Sequence, residues 1–325
     1  MTAASTSIFP VQPEERSRWI ADRRLARTEV DPGKPFAFLV EEECSPGMEA
    51  VPVATIFLTN RECPWRCVMC DLWKNTLIDS VPLGAIPSQI DYALARLPAA
   101  RQIKLYNSGS FFDTQAIPEQ DYAAIAQRLS NFERTIVECH PSLVSNRCLT
   151  FRDLIANRLE IAMGLETAHP EVLDRLNKRM TLPQFASAAS FLIENDIDLR
   201  VFILVQPPFM QPKESLHWAC RSLDFAFDCG ATAATLIPTR GGNGAMESLA
   251  RRGDFTPPTL ATVEATASYG LRLGRGRVLV DLWDIRTRQG GCQTCLRDRV
   301  DRLHRMNLCQ RIMPVVTCSH CGGQS

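Results

Sequence analysis

The chain has 325 residues, 45% of them hydrophobic and 22% charged, enough for one large core and a small appendage. Lysine plus arginine and aspartate plus glutamate number 36 each, so zero net charge gives no global pull toward nucleic acid or an anionic membrane. No apolar run approaches the roughly 20 residues that cross a bilayer, and residues 1–13 lack the basic-then-apolar pattern of an export signal. Thirteen cysteines without such a signal predict metal ligation in a reducing compartment, the cytoplasm, and not disulfides.

In chain order, residues 14–27 read as a charged helix broken by the turn Asp31-Pro32-Gly33. Residues 36–40 form a short candidate strand, and 44–47 a loop. A unit then repeats six times: an apolar or β-branched run, a loop, and a stretch of 3.6-residue periodicity. The strand runs are 53–58, 102–106, 134–138, 159–163, 199–205 and 231–237. The helical stretches are 89–96, 121–129, 142–156, 171–176 continuing after a turn at 180–181 into 184–194, 215–227 and 260–267. Pro87, Pro118, Pro141, Pro170, Pro183 and Pro212 stand near helix starts, where a missing N–H costs little. Strands alternating with helices predict a parallel sheet, either open and doubly wound or curled into a partial β/α barrel. A last run, 277–283, is a candidate further strand, and 286–325 is rich in cysteine and arginine. The expected division is an extension over 1–50, a core over 51–275 and a metal-binding extension over 276–325.

Cys63, Cys67 and Cys70 lie in Arg61-Glu-Cys-Pro-Trp-Arg-Cys-Val-Met-Cys-Asp71, directly after the first run of the repeat. Three thiolates can hold a four-iron cluster and leave one iron without a protein ligand, where a small molecule can bind. The competing reading makes Cys67 and Cys70 one knuckle of a structural zinc site. Near the C-terminus two further knuckles, Cys292-x-x-Cys295 and Cys318-x-x-Cys321, are separated by 22 residues. They read as a closed zinc site or as a second iron–sulfur cluster, with Cys309 or His320 as possible substitutes. Cys44, Cys139, Cys148, Cys220 and Cys229 read as unpaired thiols.

Other candidates lie where predicted strands end. Glu138, ahead of His140, and Glu166, in Gly164-Leu-Glu-Thr167, could each bind a ligand or cap a helix. His140, a lone histidine beside a proline, reads as structural. The loop Thr239-Arg-Gly-Gly-Asn-Gly244 could cradle a phosphate or a substrate but lacks a P-loop lysine. Arginines among residues 297–305 could touch RNA phosphate, against the default of a solvated helix face.

The triplet spacing is the signature of the radical S-adenosylmethionine (SAM) superfamily. With residues 104–113, 162–167 and Asn177-Lys-Arg-Met-Thr181, the chain resembles the elongator-like branch, in particular the radical SAM subunit of archaeosine synthase and its bacterial relatives. The resemblance covers about residues 50–325. It implies the α/β fold of a partial (β/α)6 barrel with a cysteine-rich extension. It also implies a [4Fe-4S] cluster on Cys63, Cys67 and Cys70, reductive cleavage of SAM to a 5′-deoxyadenosyl radical, and a reductant such as flavodoxin or ferredoxin. By position, Asn107, Ser108, Gly109 and Ser110 receive the SAM amino group, although the family's Gly-Gly-Glu form is absent. Met69 takes the place of an aromatic residue against adenine, and Glu138 or Glu166 the ribose. The implied reaction is carbon–nitrogen cleavage on a 7-deazaguanine base of tRNA. The neutral chain keeps open a small metabolite as substrate, or a non-catalytic iron–sulfur or zinc protein.

Overall fold

The computed structural model describes residues 9–285 and 292–321. One eight-stranded sheet runs in chain order: β1 (Ala37–Cys44), β2 (Ala50–Phe57), β3 (Gln102–Tyr106), β4 (Arg134–Glu138), β5 (Arg158–Glu166), β6 (Asp198–Val205), β7 (Ala233–Pro238) and β8 (Arg277–Val280). β1 is antiparallel to β2; the remaining neighbours are parallel. Helix α1 (Pro13–Ala21) precedes the sheet, and α2 (Ala85–Leu94), α3 (Tyr122–Arg128), α4 (Asn146–Leu154), α5 (Pro170–Arg175), α6 (Leu182–Glu194), α7 (Ser215–Asp228), α8 (Ala245–Ala250) and α9 (Leu260–Leu273) fill the crossovers. α10 (Gln293–Cys309) follows β8.

The sheet must curl. With strands about 4.8 Å apart, a flat sheet would hold β1 roughly 34 Å from β8. Instead Arg277 of β8 donates to the Cys44 carbonyl of β1 at 3.1 Å. Arg200 of β6 reaches Glu43 of β1 through both terminal nitrogens, at 3.0 and 2.5 Å. The result is the predicted partial (β/α)6 barrel, with β2 to β7 as its six units and β8 as a seventh parallel strand.

Alternation sorts each strand's side chains between two faces. The outward set, including Ile103, Leu105, Ile161, Val201, Ile203 and Leu236, is buried beneath the helices. Inside, toward the N-terminal ends of the strands, lies a charged layer. Arg200, 1% exposed, joins Glu43 to Glu160; Lys104 reaches Glu43 at 2.6 Å; Arg134 and Arg277 reach Glu160 at 3.2 and 2.9 Å. Nearer the C-terminal ends, Phe57, Tyr106, Glu138, Phe202, Thr235 and Ile237 are only half-buried and line an open inner chamber.

The open side between β1 and β8 is covered by α10, which packs on both edge strands. Asn307 and Gln310 present side-chain amides to the free edge of β8. Asn307 accepts from Val280 N and donates to Val280 O, both at 2.8 Å, and Gln310 does the same to Val278 at 2.7 and 3.0 Å. An exposed row of strand N–H and C=O groups is thereby satisfied without another strand.

α8 was not expected, and three further elements differ from expectation for a visible reason. The first helix stops at Ala21, and the chain continues as a strap because Arg24 and Arg27 turn to Glu62 while Thr28 N bonds Lys74 O. The first strand extends to Cys44 because Glu41 and Glu43 find Lys104 and Arg200. The helix expected over 142–156 divides into a short turn at Pro141–Leu143 and α4, with the His140 ring accepting from Ser142 N.

Candidate metal and cofactor site

The cysteine loop leaves the C-terminal end of β2 and is tied down by distant parts of the chain. Asn243, after β7, donates to Val68 O at 2.8 Å and Cys70 O at 3.0 Å. Asn177 donates to Arg66 O at 2.8 Å, and Val68 N bonds Leu176 O. Glu62 takes Arg24 and Arg27 from the N-terminal strap, and Trp65 stacks on His140 at 3.8 Å and 8°. Val68 packs into a second apolar cluster with Trp19, Ile20 and Leu176, and Met69 lies against that cluster.

Burial pushes the thiols of Cys63, Cys67 and Cys70 up to about 12. Binding a metal therefore has to expel their protons. A single tetrahedral ion with metal–sulfur bonds of about 2.3 Å would draw its sulfurs to roughly 3.8 Å apart. A four-iron cluster would instead place each thiolate on its own iron.

The turn after β3 abuts the loop: a Cβ on Gly109 would lie 3.4 Å from the Cys63 Cβ. Asn107 is fully buried, yet neither its side-chain oxygen nor its nitrogen has a partner, and the buried Ser108 hydroxyl is likewise unmatched. Buried polar atoms are ordinarily paired, so this trio calls for a ligand beside Cys63. Ser108 sits at φ 50°, a left-handed conformation held against its local preference. Ser110 differs; its hydroxyl contacts Cys139 Sγ and His140 N.

Glu138 accepts the Asn107 backbone N–H at 2.9 Å, and burial raises its carboxyl to about 7. Glu166 (φ 66°) follows a register shift in β5 that turns it toward Lys178, 2.8 Å away. Lys178, 8% exposed, has its ammonium form stabilised beyond its burial cost by Glu166, and Cys67 and Cys63 lie near enough to add to this. Sequence reasoning missed it, although Asn177-Lys-Arg-Met-Thr181 had been singled out. It also missed the need for Gly164, where a Cβ would collide with Glu166 and with Lys178 Nζ. His140 is neutral, drawn down to about 3 by burial. Its Nε2–H donates to Lys178 O at 3.0 Å, leaving Nδ1 to accept from Ser142. Its role is to brace Trp65.

Two candidates are already occupied. In the glycine-rich loop, Gly242 N and Gly244 N both donate to Glu247, so an internal carboxylate fills the would-be phosphate cradle. Arg299 and Arg302 bind the buried Glu264, and Arg302 also donates to Met313 O and Pro314 O. Those two hold α10 in place, while Arg297 and Arg305 lie on its exposed face.

The C-terminal four are brought together: ligand atoms of Cys292, Cys295, Cys318 and Cys321 all lie within 4.8 Å of one another. Cys309, exposed, contacts Arg311 O and Met313. No described helix is long and apolar enough to cross a membrane.

No family model matches the chain. An uncharacterised protein of Methanocaldococcus jannaschii is 21% identical over 308 residues, covering 87% of this chain and 84% of that one. The archaeosine synthase subunit beta of Methanosarcina acetivorans is 24% identical over 224 residues, and the match spans only 64% of either chain. Among solved structures, methylornithine synthase aligns at TM-score 0.50 and 12% identity, covering 76% of this chain and 68% of that one. The radical SAM methyltransferase TsrM of Kitasatospora setae aligns at TM-score 0.41 and 16% identity over 58% of this chain and 36% of its own. The fold is shared with methylornithine synthase, and this chain sets three closely spaced cysteines at the end of its first parallel strand, beside orphaned polar groups.

Proposed function

We propose that this chain is a radical SAM enzyme. The observation that carries the reading is the set of buried, unpartnered polar atoms on Asn107 and Ser108 beside Cys63. Cys63, Cys67 and Cys70 would hold the [4Fe-4S] cluster and leave one iron without a protein ligand for SAM. With SAM and an electron donor such as flavodoxin or ferredoxin, the cluster would supply radical chemistry for hydrogen abstraction.

This chain's residues do the rest. Asn107 and Ser108 would take the SAM amino group, and Lys178, a buried ammonium whose charge acts on Cys63 and Cys67, its carboxylate. Glu138, raised to about 7, can keep its proton at neutral pH and donate to a ribose or substrate acceptor. Met69 offers a thioether for adenine. Trp65, His140 and the strap exclude water from the loop. Substrate would enter the chamber beneath, where Tyr106 packs edge-on against Phe57 and Phe202 at 6.2 and 6.1 Å.

For substrate we infer a 7-deazaguanine-type base of tRNA undergoing carbon–nitrogen cleavage. Similarity to the M. acetivorans subunit supports this, as does an aromatic chamber suited to a flat ring. A free small metabolite is favoured by the zero net charge and by Arg299 and Arg302 being engaged internally. Anaerobically reconstituted protein, reduced with SAM, should form 5′-deoxyadenosine, and Cys67→Ala should not. Formation stimulated by tRNA in a salt-sensitive way would select the nucleic-acid substrate. If loaded, reduced protein yields none with either substrate class, the enzyme reading fails.

A further inference from the structure

We propose that Cys292, Cys295, Cys318 and Cys321 bind one zinc-class divalent ion as a closed tetrathiolate, and that this ion clasps the C-terminal tail to α10 and keeps the barrel's open side shut. These four cysteines are separate from the loop after β2. Cys292 Sγ and Cys318 Sγ lie 3.8 Å apart, and all four sulfurs fall within 4.8 Å. Tetrahedral ligation with bonds of about 2.3 Å places sulfurs roughly 3.8 Å apart. A four-iron cube, with one thiolate on each iron, needs them farther apart. Four protein ligands leave no open position, which marks a structural ion and not a catalytic one.

The position gives the ion its task. Cys292 and Cys295 stand at the N-terminal end of α10, while Cys318 and Cys321 come from the returning tail. Between them, Arg302 holds the tail through Met313 O and Pro314 O. α10 is mostly polar, and Val300, Leu303 and Met306 are its buried apolar side chains. At its other end, Asn307 and Gln310 supply the hydrogen bonds that close the edge of β8. Losing the clasp should free the helix start and weaken those edge bonds with it.

The test uses full-length protein. Metal analysis should give about one zinc per chain in addition to about four irons after reconstitution, with four sulfurs at about 2.3 Å in the zinc absorption spectrum. Cys318→Ser with Cys321→Ser should lose the zinc and keep the irons. Hydrogen exchange at the Val278 and Val280 amides should then speed up at least about tenfold. If that variant does not fold, stripping zinc from the wild type with a chelator and restoring it gives the same exchange readout. About eight irons and no zinc, a pair of disulfides in place of metal, or exchange at those amides unchanged by zinc removal would each overturn the proposal.

Discussion

The two ends of the barrel are built from the same residue types and behave oppositely. At the N-terminal end of the strands, Glu43, Lys104, Glu160, Arg200 and Arg277 are buried and each charge has a partner. At the C-terminal end, Asn107 and Ser108 are buried with atoms unmatched, Glu138 resists ionisation, and Ser108 and Glu166 hold left-handed backbones. At one end paired charges lock β1 across the curl; at the other, Asn107 and Ser108 stand beside the cysteine loop without partners. In β/α barrels the chemistry sits at the C-terminal end, and here that end carries the unmatched Asn107 and Ser108 beside the cysteine loop.

That contrast can be broken by mutation. Arg200→Ala leaves Glu43 and Glu160 buried beside a lost cation, and should cost about 3–5 kcal/mol in chemical denaturation. Asn107→Ala should instead cost less than about 1 kcal/mol in the ligand-free protein, because it removes groups that are already unpaired. The same variant should bind SAM about tenfold to a hundredfold more weakly, measured by titration of the loaded protein. If the two substitutions cost equal stability, the contrast between the ends fails.

Acidity gives a second lever with opposite signs. Glu43 and Glu160 are held below their ordinary 4.5 by arginine and lysine partners despite burial. Their contribution is complete above that value and is lost as pH falls below it. Glu138 is raised from 4.5 to about 7, so the folded chain keeps a proton that the unfolded chain releases. Its contribution is complete below 4.5 and is lost as pH rises through 7. Glu138→Gln should flatten the decline in stability between pH 4.5 and 7, by on the order of 1 kcal/mol once water access is allowed for. It should leave the acid limb unchanged. The smallest effect is expected from Arg27→Ala, which leaves Arg24 on Glu62. Stability should shift by less than about 1 kcal/mol, with faster loss of the cluster's visible absorbance in air.

Much of this was legible in the chain because it is local. The Cys63–Cys70 spacing, the six apolar runs and the two C-terminal knuckles lie within short windows, and the proline-marked helix starts likewise. The rest depends on contacts between distant residues. Glu41 and Glu43 look like a poor strand until Lys104 and Arg200 come to meet them across the curl. The glycine loop after β7 looks open until Glu247 fills it. Lys178 looks like one more surface lysine until Gly164 and the turn at Glu166 make room for it. A lysine, two arginines and a glutamate inside parallel strands, at Lys104, Arg134, Glu160 and Arg200, were the available hint of a polar interior, since such strands are normally apolar throughout.

The most direct measurement is the electron paramagnetic resonance spectrum of the reduced, reconstituted protein before and after adding SAM. A [4Fe-4S] signal that changes on SAM addition in the wild type, changes far less in Asn107→Ala with Ser108→Ala, and is absent in Cys67→Ala is the predicted result. A cluster signal that is indifferent to SAM in the wild type would contradict the account.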